Sequence, residues 1–178
     1  MENPRLLDEE TTRIYLVGMP GSGKSTAGPL LAECLGWAFQ DLDQQIESEV
    51  DLSISRIFEE RGEEVFRAIE TRLLHQTAAL KHLVVATGGG AVLRNINWML
   101  EQGRVVWLDP PVSELLLRLA NSYHERPLFK EAGSKDLGLN VESLYHARYP
   151  SYARAHHRFP GMESLLDWGT SLREPASR

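Results

Sequence analysis

The stretch "GMPGSGKST", residues 18–26, decides how this chain is read. It fits the pattern G-x-x-x-x-G-K-[ST] and lies between an apolar run, "RIYLVG", and a segment of helical period, "KSTAGPLLAECL". In that setting the glycines let successive backbone N–H groups turn inward around phosphate oxygens. The helix that follows adds the partial positive charge of its N-terminus. Lys24 reaches the β- and γ-phosphates as a point charge, and the Ser25 hydroxyl is placed to ligate Mg²⁺. Thr26 supports the first helical turn or an α-phosphate. Gly21, Ser22, Gly23, Lys24, Ser25 and Thr26 thus form the candidate nucleotide-binding set, and ATP with Mg²⁺ is the expected cofactor pair.

Outward from this loop, short apolar runs alternate with longer helical segments. "WAFQDLD" reads as a second strand and is followed by helices through "SISRIFEERG" and "EEVFRAIETRLLHQTAAL". "HLVVAT" reads as a third strand, "INWMLEQG" as a helix, "RVVWLD" as a fourth strand and "VSELLLRLA" as another helix. Buried strands alternating with helices predict an α/β fold with a parallel sheet covered on both faces. Beyond residue 120 the pattern breaks into a polar stretch without apolar periodicity, "NSYHERPLFKEAGSKDLGLN". A segment of that length is functional or disordered in most compact domains. A helix through "VESLYHARYPSYARAHH" follows, with an interruption or kink expected at Pro150.

The 178 residues suffice for one domain, 1–178, and are short for two. A net charge of −6 argues against nucleic-acid binding. A single cysteine, Cys34, excludes an internal disulfide and a cysteine-based zinc cluster. The polar, acidic start does not read as a signal peptide, and no apolar run approaches a bilayer span of about 20 residues. The expected partners are small molecules, with no nucleic acid or membrane, in a monomeric cytoplasmic protein. His156 and His157 read as solvated helix-end residues. Trp37, Trp98, Trp107 and Trp168 read as core or partly buried residues.

A switch protein specific for guanine nucleotides would carry Asn-Lys-x-Asp, which is absent here. A small kinase needs a magnesium carboxylate, an acceptor pocket and a water-excluding lid. "DLD" closes the second strand, where ligands gather in open parallel sheets, and strand alternation would aim Asp41 and Asp43 into the crevice. Helix capping and surface charge explain these two residues about equally well. Arg67 stands four residues after Glu63 and three before Glu70, a spacing common in solvated helix pairs. "ATGGGAV" puts Gly88, Gly89 and Gly90 at the end of the third strand, where either a loose turn or a close approach explains them.

In combination, "GMPGSGKST", "DLD", "SISRIFEERGEEVFRAIE", "ATGGGAV", "ERPLF" and "ARYPSYA" resemble the shikimate kinase family over about residues 13–155. The resemblance implies a P-loop kinase fold with about five strands in the order 2-3-1-4-5. It also implies a mobile lid at about residues 121–137 and a frayed tail at about 170–178. The activity implied is ATP-dependent phosphorylation of the 3-hydroxyl of shikimate. Asp43 would bind the shikimate hydroxyls and assist deprotonation, Arg67 and Arg148 would hold the carboxylate, and Gly88, Gly89 and Gly90 would lend N–H groups. Asp41 would join Ser25 at Mg²⁺, Arg126 would meet the transferring phosphate, Arg118 would lie near the adenine, and Glu70 would orient the arginines. Lys24, Asp43 and Arg126 form the candidate catalytic set.

Two features fit the resemblance less closely. Its fifth strand would fall in "HHRFPGMESLLDWGTSL", which has no β-branched run. Asp109, at the end of "RVVWLD", resembles a Walker B acid, but its following prolines read better as a strand end. A kinase of another hydroxylated acid such as gluconate, and a non-catalytic nucleotide-binding regulator, are the competing readings. Gly89→Ala is expected to weaken the acceptor far more than ATP.

Overall fold

The computed structural model describes residues 12–121 and 134–172. Five parallel strands form one sheet in the order β2-β3-β1-β4-β5. They are β1 (Arg13–Val17), β2 (Ala38–Asp41), β3 (Leu83–Ala86), β4 (Arg104–Leu108) and β5 (His157–Phe159). The helices are α1 (Lys24–Leu35), α2 (Leu42–Val50), α3 (Ile54–Arg61), α4 (Glu63–Gln76), α5 (Val92–Gln102), α6 (Val112–Asn121), α7 (Ser134–Tyr152) and α8 (Met162–Ser171). A 3₁₀ turn, Thr77–Ala79, follows α4.

Alternation along the central strands divides the core in two. Ile14, Leu16, Val84 and Val106 face α1 and α8, packing on Ala27, Leu31 and Leu165. Tyr15, Val17, Val85, Val105 and Trp107 face the opposite layer, which includes Ile46, Leu74, Met99 and Tyr152. Strands buried on both faces need no polar alternation, which is why they read as near-continuous apolar runs.

The register positions the site. Leu16 of β1 pairs with Ala86 of β3, and Asp41 of β2 pairs with the same Ala86. Three adjacent strands therefore end at one level. The loop after β1, the carboxylate ending β2 and the glycines after β3 emerge side by side at the carboxyl edge of the sheet.

Several expectations change. The second strand stops at Asp41, and "LDQQIESEV" forms α2, so Asp43 belongs to a helix rather than a strand. The polar stretch beyond residue 120 becomes helical again at Ser134. Helix α7 runs through Pro150 and ends two residues later at Tyr152, so the proline stands at the helix end rather than breaking its middle. His156 and His157 leave that helix and enter the β5 region. The fifth strand exists despite its composition: His157, Arg158 and Phe159 pair with Val106, Trp107 and Leu108. The expected lid at residues 121–137 and tail at 170–178 fall largely outside the described residues.

Candidate active site

The loop of residues 18–23 takes the shape its glycines permit. Gly18, Gly21 and Gly23 have φ of 148°, 80° and 97°, a region L-residues with side chains rarely enter. A Cβ on Gly18 would also come within 2.4 Å of Leu108 O. The loop folds over Lys24, whose buried ammonium donates to Gly18 O and Met19 O at 2.9 Å and to Ser22 Oγ at 3.2 Å. Helix α1 starts at Gly23 with no side-chain cap and no acidic residue in its first turn. Its N–H groups and dipole are thus left for an anion. Thr26 belongs to that turn, its N–H donating to Gly23 O at 3.1 Å.

A cleft of about 820 Å³ opens beside this loop. Lys24, Ser25, Asp41, Asp43, Arg67 and Arg148 line it, together with Gly21 and Gly88, Gly89 and Gly90. The two acids arrive by a helix cap. Asp41 is the N-cap of α2, and its Oδ1 accepts from the N–H of Asp43 at 3.0 Å and of Gln44 at 3.3 Å. That turn, rather than strand alternation, carries Asp43 into the cleft.

Arg67 reaches the cleft from α4, its Nη1 donating to Glu70 Oε2 at 2.8 Å and its Nε to Glu63 Oε1 at 3.2 Å. Burial pushes the Glu70 carboxyl above its ordinary range, while Arg67 and, less strongly, Arg148 pull it back. Arg148 comes from α7 and is buried. Its Nε and Nη1 meet no hydrogen-bond partner among the described residues, and neither does Glu70 Oε1. A buried guanidinium with idle donors is costly unless an anion completes it.

The three glycines at the end of β3 have no positive φ, so conformational freedom does not explain them. Space does. A Cβ on Gly88 would stand 2.5 Å from Glu70 Oε1 and 3.0 Å from Asp43 Oδ1. On Gly89 it would meet Pro20 Cδ at 2.7 Å and Arg148 Nη1 at 3.1 Å, and on Gly90 it would meet Arg67 Nη2 at 2.6 Å. The bare backbone lets four charged side chains close in. Its carbonyls are taken internally: Gly88 O by Ala91 N, Gly90 O by Leu93 N, and Gly89 O by the Tyr152 hydroxyl. The three glycine N–H groups meet no acceptor among the described residues.

A phosphate loop, two acids, two arginines and three open amides in one cleft narrow the possibilities, and comparison with known proteins settles the family. The family model described as "Shikimate kinase" matches residues 20–165. The chain belongs to the shikimate kinase family. The shikimate kinase of Prochlorococcus marinus is 50% identical over 144 residues, 80% of this chain and 74% of that protein. That of Nostoc punctiforme is 48% identical over 143 residues, 80% of this chain and 77% of the relative. Among solved structures, a shikimate kinase from Acinetobacter baumannii in complex with shikimate matches with a TM-score of 0.81. It is 36% identical, covering 88% of this chain and 89% of that one.

Within this shikimate kinase fold two other residues singled out in the sequence, Arg118 and Asp109, are not among the cleft lining. Arg118, on α6, ion-pairs with Glu114 and donates to Gly21 O at 3.1 Å, so it touches the phosphate loop. Arg126 lies outside the described residues. Asp109 is engaged by Arg158 and by the Tyr145 hydroxyl, which fixes it as a strand-end anchor. Sequence reasoning missed Pro20, which packs toward Gly89, and Tyr152, which bonds to it. Tyr152 stands four residues after Arg148, the spacing of a shared helix face, and that spacing was the available signal. No described helix is long and apolar enough to cross a membrane.

Proposed function

We propose that this chain transfers the γ-phosphoryl group of ATP to the 3-hydroxyl of shikimate, giving shikimate 3-phosphate and ADP on the route to the aromatic amino acids. The observation that carries this reading is the convergence of Arg67, Arg148 and three open glycine amides beside the phosphate loop. The acceptor has one carboxylate and a ring of hydroxyls. A guanidinium fork grips the former, while carboxylates and backbone donors serve the latter.

The residues present fit the nucleotide and its metal. The uncapped start of α1 and the buried Lys24 ammonium suit phosphates. The Ser25 hydroxyl and Asp41 carboxylate, both lining the cleft, are hard oxygen donors that suit Mg²⁺. When bound, the metal neutralises charge on the phosphate oxygens.

In this reading Arg148 and Arg67 hold the acceptor's carboxylate and Gly88, Gly89 and Gly90 donate to its oxygens. Glu70 keeps Arg67 in place. Asp43 accepts a hydrogen bond from the reacting hydroxyl and orients its oxygen toward the γ-phosphorus. The new P–O bond forms as the bond to the β-phosphate breaks, and the hydroxyl proton passes to Asp43 or to the transferred group. Positioning and charge neutralisation lower the barrier more than proton abstraction does. Lys24 supplies that charge, and we assign Arg126 and Arg118 the lid and adenine sides of the nucleotide. Gly21, Ser22, Gly23, Lys24, Ser25 and Thr26 cradle its phosphates. The enzyme is read as one domain, monomeric and cytoplasmic.

An assay coupling ADP release to an optical signal, run with shikimate, with gluconate and with no acceptor, tests the function. Release is expected only with shikimate. Release without acceptor, or faster with gluconate, overturns the reading.

A further inference from the structure

The Tyr152 hydroxyl donates to Gly89 O at 2.6 Å across 63 positions of sequence. Its ring is wholly buried and stacks on Trp107 of β4, with centroids 5.5 Å apart and planes 20° apart. Burial raises the phenol well above its ordinary range, so it remains a donor at working pH. One helical turn earlier, Arg148 Nη1 sits 3.1 Å from where a Gly89 Cβ would stand. One turn of α7 therefore holds Gly89 by its carbonyl and sets Arg148 where a side chain at position 89 would stand.

The peptide unit is planar, and no described peptide is cis. The carbonyl of Gly89 and the N–H of Gly90 belong to the same plane and point in opposite directions. Holding the one aims the other.

We infer that Tyr152 is a positioning residue for the acceptor: its bond to Gly89 O orients the Gly90 N–H that faces substrate. This rests on the acceptor reading above. Tyr152 touches no reacting atom. Its effect belongs in acceptor affinity, because the glycine turn is the part of the cleft it holds.

Tyr152→Phe deletes the donor and keeps the ring and its stacking. The experiment measures shikimate affinity by calorimetry without ATP, KM for both substrates, melting temperature, and the Gly90 amide signal in ligand-free ¹⁵N-labelled protein. Loss of one buried hydrogen bond predicts about a five- to twenty-fold weaker shikimate Kd. The KM for ATP should stay within about two-fold, and the Gly90 amide should shift or broaden. Trp107→Phe is the control for packing. It should lower the melting temperature at least as much, yet leave shikimate affinity and the Gly90 amide near wild type.

An unchanged shikimate Kd in Tyr152→Phe overturns the inference. So does an unchanged Gly90 amide, or a Trp107→Phe protein that loses as much acceptor affinity. A wild-type protein that ignores shikimate overturns the acceptor reading instead, and the amide signal still judges the role of Tyr152.

Discussion

Arg148 is a buried cation whose Nε and Nη1 have no partner among the described residues, an arrangement that costs stability unless function uses it. Arg148→Met, which keeps the volume and removes the charge, should leave the melting temperature unchanged or raise it. The same change should cut kcat/KM for shikimate by about 10²-fold or more, roughly 3 kcal/mol, from loss of a buried charge-assisted contact. Thermal melts beside steady-state kinetics check both halves, and a parallel fall of stability and activity would mark Arg148 as structural. The glycines divide by what their missing side chains would strike. The three atoms nearest a Cβ on Gly90 all belong to the Arg67 guanidinium, so Gly90→Ala should raise the shikimate KM about ten-fold or more while sparing ATP. A Cβ on Gly89 presses on Pro20 of the phosphate loop as well as on Arg148, so Gly89→Ala should impair both substrates. The selective test of the acceptor side is therefore Gly90, where sequence reasoning had put it at Gly89.

The junction of β2 and α2 makes one carboxylate do two jobs. Asp41 ends the strand, caps the helix through its Oδ1, and lines the same cleft as Ser25. Asn caps a helix about as well as Asp, whereas Ala forfeits about 1 kcal/mol. Asp41→Asn should keep the melting temperature within a few degrees of wild type and raise the Mg²⁺ concentration needed for half-maximal activity. Asp41→Ala should lose both, and a magnesium dependence unmoved by Asp41→Asn would reduce Asp41 to its cap. This junction also shows how far local sequence reaches. The strands β1, β3 and β4, and the helix behind the phosphate loop, were legible because each is an apolar run or a motif that announces itself. Helix α2 was not, since Leu42 and Ile46 are its only fully buried side chains and, apart from Val50 at its end, the rest of its sequence is polar. Strand β5 was not either. His157, Arg158 and Phe159 have no strand signature and become a strand through the β4 ladder and through Arg158 lying over Trp107. The cleft residues were legible through their family pattern, whereas the Tyr152 bond joins positions 63 apart, and its local trace was only the four-residue spacing from Arg148.

Across the whole molecule, acid and base act on opposite ends of the sheet. At the β4–β5 edge, His156 N donates to Val105 O at 2.9 Å while Val105 N donates to His156 Nδ1 at 2.9 Å. That second bond needs Nδ1 without a proton. Burial, then the Arg104 charge, lowers the imidazoles of His156 and His157 below their ordinary 6.5. A group depressed on folding contributes stability that is present above its unfolded value and lost as pH falls through its folded one. In the cleft the sign reverses. Burial raises Glu70 above its ordinary 4.5, so its contribution is present below that value and lost as pH rises through the folded one. Each group is read against a variant that cannot titrate. Relative to His156→Gln, which keeps an acceptor for Val105 N, the wild type should lose melting temperature as pH falls below about 6.5. Relative to Glu70→Gln, it should lose melting temperature as pH rises above about 4.5. Thermal melts of the three proteins from pH 4 to 8 decide the matter. Parallel curves for wild type and His156→Gln would mean that the β5 edge is held without the imidazole. Curves that separate on the acid side would make the last strand, the one with the weakest sequence signal, the place where acid first loosens the sheet.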